Sequence, residues 1–511
     1  MKMIYWLIKT LNKLRKTDEL VGKSLVFSTL RYLPFPIHQD LFMANILARK
    51  GAKVYVILDN GLYLHWDTYQ FKSNNQYLNP FHKRFKELSY LKTYLHTKIL
   101  LFIYKHSNIS IVDTKSIVDM NKLDEINLSE ADKSNLISSV RRYFGCGYYD
   151  ESNTSHYEYY LKTEINCKIS KSIGKYIIDV IKPNKFITTD GIYSLWGPIY
   201  CEVKNAGIPS YIYGYHTYTD DEALFSNTLA QTLSKDETWI VFNEKTDNLT
   251  PEQNQKVVNY FETRIQHKTK DTTIYYGGIS TFKEINIEKE NDDIMNIGVF
   301  PNIIWDGDVV QRDKYFNGVL DWILKTIKIA ETSKHNFIIR FHPAESTLFK
   351  DSNKLKDILL GIYPNLTSLK NLTLIDSDVK IDTYKFIENN IDLGIVYDGI
   401  LTMELTYMKI PVVTPSISRF SAGNFVINPS SEYDYINYLN DKGLINHFYS
   451  DIEKIDLEFK KYAYWYLFEA GYFMSIYDKT IFGKIVYSKN TLEYIATDRF
   501  RRFENKLAEY L

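Results

Sequence analysis

Short apolar runs alternate with longer amphipathic stretches along most of this chain, and the two periods mark strands and helices. "SLVFST" (24–29) reads as a buried strand, "HQDLFMANILARKG" (38–51) as a helix closed by Gly51, and "KVYVILD" (53–59) as the next strand. Such a strand–helix–strand unit is a βαβ crossover. Residues from about 62 to 170 are rich in Tyr, Lys and Asn and predict a mostly helical insertion. The rhythm resumes with "KFITTDG" (185–191), a helix over 195–206 and "PSYIYGY" (209–215).

The pattern breaks after a helix at 248–268, whose Thr250-Pro251-Glu252 supplies an N-cap and a proline at the first helical position. The charged loop "KEINIEKENDD" follows and suits a domain boundary. A second series then begins at 294–302. It runs through a helix at 313–332, strand 336–341, a helix at 344–362, strand 372–376, helix 383–390, strand 393–398, helix 400–408 and strand 411–414. Regular alternation of this kind predicts a doubly wound parallel sheet. The expected fold is α/β, with two Rossmann-like domains facing across a cleft and a helical insertion in the first. Residues 1–285 form the first domain, 286–470 the second, and 471–511 are helices crossing back to the first.

With 511 residues, more than one core is expected. Lys+Arg and Asp+Glu are equal at 62 each, so no global field favours a nucleic acid. The three cysteines are widely spaced without a C-x-x-C, which argues against a zinc site or a disulfide framework and makes a reducing cytoplasm the default. No apolar run reaches the roughly 18–20 residues that span a bilayer. The start, "MKMIYWLIKTLNKLRK", places apolar residues at helical spacing among Lys9, Lys13, Arg15 and Lys16. It reads either as a core-packed first helix or as a helix resting on an anionic membrane face.

In doubly wound sheets ligands bind beyond the carboxyl ends of the strands, so polar residues there are the candidates. In the second series these are Asn302, Trp305 and Asp306; then Arg340, His342, Pro343 and Glu345; then Thr402 and Glu404; then Arg419, Ser421 and Gly423. His342 precedes a proline suited to a helix start, where it can donate to a phosphate or leaving-group oxygen; a buried histidine cap is the plainer alternative. Arg340 alternates away from His342 and suits bracing of a neighbouring element. Glu404 suits ribose or sugar hydroxyls, or else a carboxylate satisfied within its own helix. In the first series Asp190 is the general-base candidate, with Gly191 letting substrate approach and Tyr193 beside it. Asp190-Gly191 is otherwise an ordinary turn. Arg31, His38 and Asp59 complete the first-domain set, Asp59 reading more readily as a turn residue. No G-x-x-x-x-G-K-[ST], G-x-G-x-x-G, H-E-x-x-H or G-x-S-x-G occurs in the relevant contexts, and no obligatory metal or other cofactor is expected.

The blocks "DGIYSLWGPIYCEVKNAGIPSYIYG" (190–214), "FPNIIWDGD" (300–308), "DWILKTI…FIIRFHPAE" (321–345), "GIVYDGILTMELTYMKIPVVTP" (394–415) and "AGNFVINPSSEYDY" (422–435) resemble bacterial capsule and lipopolysaccharide glycosyltransferases of the two-Rossmann GT-B type. The likeness extends to the Kdo transferases that use CMP-activated sugars. There an acidic-Asp-Gly motif supplies the base and a His-Pro motif contacts the nucleotide phosphate. Asp190-Gly191 and His342-Pro343 match, whereas Thr189 stands where the family has an acid. The resemblance implies a cytoplasmic enzyme, peripheral to the membrane if residues 1–16 touch it. It would transfer a sugar from a nucleotide sugar, CMP-linked favoured, to a glycan or lipid-linked acceptor. Residues 31, 38, 59, 191 and 193 would serve the acceptor, and the second-domain set the donor. Two alternatives stay open: a polyol-phosphate (CDP-glycerol-like) transferase, whose family also carries Arg-x-His-Pro, and a non-catalytic scaffold on the same fold.

Overall fold

The computed structural model describes residues 2–30, 34–63, 106–189, 191–216, 222–226, 237–269, 281–306, 312–347, 352–473 and 489–509, with isolated positions at 95, 98–99, 101–104, 272 and 279. Among the described residues no helix is long and apolar enough to cross a membrane.

The first sheet is built from β1 (Ser24–Thr29), β2 (Lys53–Leu58), β3 (Ile109–Asp113), β4 (Lys185–Thr189) and β5 (Ser210–His216). All five are parallel and lie in the order β3-β2-β1-β4-β5. Two antiparallel strands extend the β5 edge: β6 (Glu222–Ser226) and, from the far end of the chain, β12 (Gly471–Phe473). The second sheet comprises β7 (Asn296–Phe300), β8 (Asn336–Arg340), β9 (Leu372–Ile375), β10 (Leu393–Val396) and β11 (Val412–Val413). Its order, β9-β8-β7-β10-β11, repeats that of the first. Each sheet therefore winds outward in both directions from its first strand. The reversal puts a crevice at the carboxyl ends of β1 and β4 in one lobe, and of β7 and β10 in the other. The α/β architecture of two Rossmann-like lobes is as the apolar rhythm predicts.

β3 lies inside the stretch read as helical. It pairs with β2 at the edge of the sheet and all five of its residues are only half-buried, so "ISIVD" lacks the unbroken apolar run of a central strand. Among the described residues the insertion also carries two long helices, α3 (Glu130–Phe144) and α4 (Thr154–Tyr176). They pack on α5 (Tyr193–Asn205), where Gly197 meets Asn135 so closely that an added Cβ would lie 2.3 Å from its side chain.

Earlier in the chain, α1 (Lys2–Lys13) and α2 (Pro34–Arg49) cover one face of the first sheet. Helices α6 (Glu237–Lys245) and α7 (Pro251–Ile265) precede the expected boundary at 285, yet their apolar stripes belong to the second lobe. Trp239, Val257 and Phe261 share a core with Phe459, Tyr462 and Trp465. The charged loop at 283–293 is therefore not the edge of that core, because burial of the α7 stripe is satisfied only against later helices.

The remaining second-lobe helices are α8 (Gly318–Thr332), α9 (Ala344–Thr347), α10 (Leu355–Ile362), α11 (Thr383–Asn390), α12 (Leu401–Tyr407), α13 (Glu432–Asn440), α14 (Lys442–Phe448) and α15 (Ile452–Tyr464). After α15 the chain returns to the first lobe through β12, α16 (Lys489–Tyr494) and α17 (Asp498–Glu509). Phe500, Phe503 and Leu507 bury themselves with Phe42 and Leu47 of α2. Replacing Phe503, fully buried there, with Ala is expected to destabilise the protein by about 3–5 kcal/mol. A urea titration checks this; an unchanged midpoint would show that the C-terminal helices do not complete the first core.

Candidate functional site

The second-lobe crevice is organised around Asp398, just beyond β10 and fully buried. Its carboxylate accepts from Ser418 Oγ (3.0 Å), from Arg419 N (3.1 Å) and from Arg419 Nε (3.0 Å), and pairs with Arg312 Nη2 (3.0 Å) and Arg419 Nη2 (2.8 Å). The Asp398 backbone N–H donates to Asn302 Oδ1 (3.1 Å), which ties the end of β10 to that of β7. Asn302, Arg419 and the strand ends are thus brought together. A carboxylate at this point would repel an anionic ligand; two guanidinium groups on it reverse that local field. Ser421 Oγ donates to Ser418 O (2.6 Å) in the same loop, and Gly423 packs under the Phe425 ring, where a Cβ would clash at 2.2 Å.

One strand outward, Arg340 is buried and turned away from His342. It donates to the carbonyls of Asp376 (Nη1) and of Val379 (Nη2, 3.1 Å), so it braces the loop after β9. His342 is half-buried, and its Nδ1 accepts the Ala344 N–H (3.2 Å), the histidine cap weighed above. That bond places the proton of the neutral ring on Nε2 and makes Nε2 the donor. The helix opened by Pro343 is the four-residue α9. Glu345 within it is 2% exposed; its Oε1 accepts from Leu355 N (3.1 Å), and burial pushes its carboxyl up to about 7.

Glu404 and Thr402 lie deeper. Glu404 accepts from Arg264 Nε of α7 and from Tyr384 OH (3.0 Å), so it fastens α7 to α12. Thr402 is fully buried. Trp305 is buried beside the loop at 145, where its ring lies 3.7 Å from the Cβ position of Gly145.

In the first lobe, Arg31 and Asp190 lie outside the described residues. Gly191 and Tyr193 follow β4 with φ of 67° each, a left-handed conformation that costs a tyrosine about 1–3 kcal/mol. Helix α5 has no side-chain cap of its own from Ile192; the Ser194 N–H donates instead to Ser139 Oγ of α3 (2.8 Å). Two residues that the sequence reading did not single out complete the arrangement. Arg142, also on α3, donates to Tyr193 OH (2.5 Å), lies 5.0 Å over the Tyr193 ring and reaches Asp306 Oδ1 (3.3 Å) of the second lobe. Arg141 donates to Ile304 O (2.8 Å). The end of α3 thus spans from the β4 strand end to the β7 strand end. The only sequence signal was an arginine pair ahead of Gly145, carried by a helix and so missed by a search of strand ends.

His38 and Asp59 are placed elsewhere. His38 is buried in the α2 core, with Nδ1 against Tyr104 OH (3.2 Å). Asp59 Oδ1 accepts from Gly61 N (3.1 Å), Leu62 N (3.0 Å) and Thr114 Oγ1 (3.1 Å), the bonding of a turn residue. Among the described residues no group of three His, Cys, Asp or Glu side chains is set to hold a metal ion.

No protein-family model matches the chain, and no curated protein matches it in sequence. Solved structures with similar folds include the β-Kdo 2,7-transferase of KpsC from Thermosulfurimonas dismutans, with 10% identity and TM-score 0.30, covering 48% of this chain and 68% of that one. A putative UDP-N-acetylglucosamine 2-epimerase from Listeria monocytogenes shows 11% identity and TM-score 0.25 over 95% of this chain and 97% of that one. For an α,α-trehalose 6-phosphate synthase from Burkholderia multivorans the figures are 8% and 0.30, over 86% and 96%. At such scores these likenesses carry no argument about activity, and the fold rests on the strand order itself.

Glu345 generates a pH test. Its carboxyl ordinarily titrates near 4.5 and is raised to about 7 in the folded protein, so the folded state resists losing that proton. Its stabilising contribution is full below pH ~4.5 and disappears as pH rises through ~7, a change of about 3 kcal/mol. Glu345→Gln, whose amide oxygen still accepts the Leu355 N–H, is expected to flatten the dependence. Urea midpoints at acidic and alkaline pH for both proteins check it.

Proposed function

We propose that this chain is a glycosyltransferase of surface-polysaccharide synthesis, capsule or lipopolysaccharide. It takes a sugar from a nucleotide-activated donor, CMP-linked as with Kdo, and delivers it to a glycan or lipid-linked acceptor hydroxyl. The observation that supports this most is the pairing of two identically wound sheets whose switch-point strand ends are linked through Arg142, with Tyr193 on one side and Asp306 on the other. A donor in one crevice and an acceptor at the other would meet at that seam.

In this reading the second lobe holds the nucleotide beside Asn302 and the arginine-clamped Asp398. His342 donates from Nε2 to the departing phosphate oxygen, its tautomer set by the Ala344 N–H. Asp190 takes the proton of the acceptor hydroxyl as the C–O bond to the sugar forms and the bond to phosphate breaks. Gly191, with no side chain, and Tyr193 would border the acceptor in this reading. Pro343 presets the turn after His342, and Glu345, Glu404, Thr402 and Arg340 hold the scaffold behind it. The reading needs no metal.

His342→Ala is expected to lower turnover on the order of 10²–10³-fold while the protein stays folded, with only the small loss of stability that removing the Ala344 cap entails. Near-native turnover would remove His342 from the chemistry. Cytidine monophosphate at about a hundred times its dissociation constant should stabilise the fold by about 2.7 kcal/mol, read as a thermal shift. Transfer from CDP-glycerol in place of a CMP-sugar would assign the site to polyol-phosphate transfer. Absence of any nucleotide protection would favour a scaffold.

A further inference from the structure

Helix α1 has two unlike faces. Leu7, Thr10, Leu11 and Leu14 are buried against the first-lobe core with Leu41, Leu47 and Phe503. The opposite face, Ile4, Tyr5, Ile8, Lys9, Asn12 and Lys13, is exposed, and Arg15 and Lys16 continue it beyond the helix. Ile4, Tyr5 and Ile8 are 36%, 51% and 43% exposed and cluster at its N-terminal end. The Lys9 ammonium sits 4.7 Å from the Tyr5 ring centre and 5.5 Å from that of Trp6, leaving the cation at the margin between apolar and basic halves.

Charge says what covers this face. The whole chain balances 62 basic against 62 acidic residues, yet residues 1–17 hold five basic ones and no acid. The acids nearest in sequence are committed in part: Glu19 pairs with Lys50. Glu504 of α17 faces Arg15 and Lys50. An exposed apolar tip, a ring pair suited to a lipid headgroup layer and a basic flank describe an interfacial helix. The helix is about 18 Å long, enough to lie flat with its tip inserted.

We infer that the outward face of α1 docks the first lobe onto an anionic lipid surface, with Ile4, Tyr5 and Ile8 entering the headgroup layer and Lys9, Lys13, Arg15 and Lys16 facing lipid phosphates. The inward face keeps α1 packed in the core throughout, so docking requires no unfolding. It also stands apart from the chemistry of the cleft and is tested without an activity assay.

The test is co-sedimentation of the full chain with vesicles of phosphatidylglycerol and phosphatidylcholine, against phosphatidylcholine alone. Binding is expected to the first only, and to be lost in 1 M salt, where screening acts within about 3 Å. Lys9→Gln with Lys13→Gln should weaken it about 30-fold, each basic residue contributing roughly fivefold. Ile4→Ser with Ile8→Ser should weaken it about tenfold or more. Because these side chains are exposed, the melting temperature should not move. Absence of wild-type binding, equal binding to both vesicles, or variants that bind like the wild type would overturn the proposal. So would a solution dimer that the isoleucine variant dissolves while vesicles leave the protein in the supernatant.

Discussion

Asp132 is buried at the first turn of α3, and its Oδ2 accepts from Ser129 N (2.8 Å), Ser129 Oγ (2.7 Å) and Lys171 Nζ (2.7 Å). Lys171 also pairs with Glu202 of α5 (2.9 Å), so one ammonium joins three helices. Removing one partner of such a buried pair costs about 3–5 kcal/mol, because the other charge is left without compensation. The geometry of the seam follows from this anchor. Helix α3 is held at its start and closed by Gly145 in the left-handed conformation, and its last turn carries Arg141 and Arg142 to the second lobe. Ser139 then caps α5, Arg142 settles on Tyr193, and Arg141 reaches the Ile304 carbonyl.

The second lobe uses the same device. Asp398 gathers Arg312 from one loop and Ser418 and Arg419 from another, and Tyr462 OH donates to the Arg419 carbonyl from behind. Loops that would otherwise be set by weak local preferences are fixed by a buried charge. Each lobe thus presents its strand ends on a rigid base, the condition for positioning a bound ligand against a reacting partner.

The central strands of both sheets were legible because parallel strands are buried on two faces and read as nearly continuous apolar runs. The exceptions are β3, an edge strand whose residues are only half-buried, and the antiparallel β6 and β12, the latter in a segment read as helical. The capped start of α7 was legible too, since Thr250 and Gln253 form a reciprocal capping box. Where that helix packs was not, because its partner Glu404 lies far along the chain. The candidate site divides the same way. Strand-end position identified Asn302, Arg419, Gly191 and Tyr193, which meet at the crevices. Arg141, Arg142 and Arg312 carry no strand-end signal, since their role exists only once two lobes or two loops are side by side. His38 and Asp59 look the same in sequence as ligand-facing residues, but one is committed to Tyr104 and the other to a turn.

The return of the C-terminus has a consequence for how the protein is made. Strand β12 pairs with β6, and the Phe500 ring lies 6.2 Å from that of Phe42 of α2, tilted 48° to it. A nascent first lobe leaving the ribosome therefore carries an uncovered apolar flank on α2 until the last segment emerges, by which time the second lobe has been synthesised in full. The first core is therefore completed by residues made after the second lobe, unlike a chain whose domains are each contiguous. The half synthesised first is the half whose core closes last.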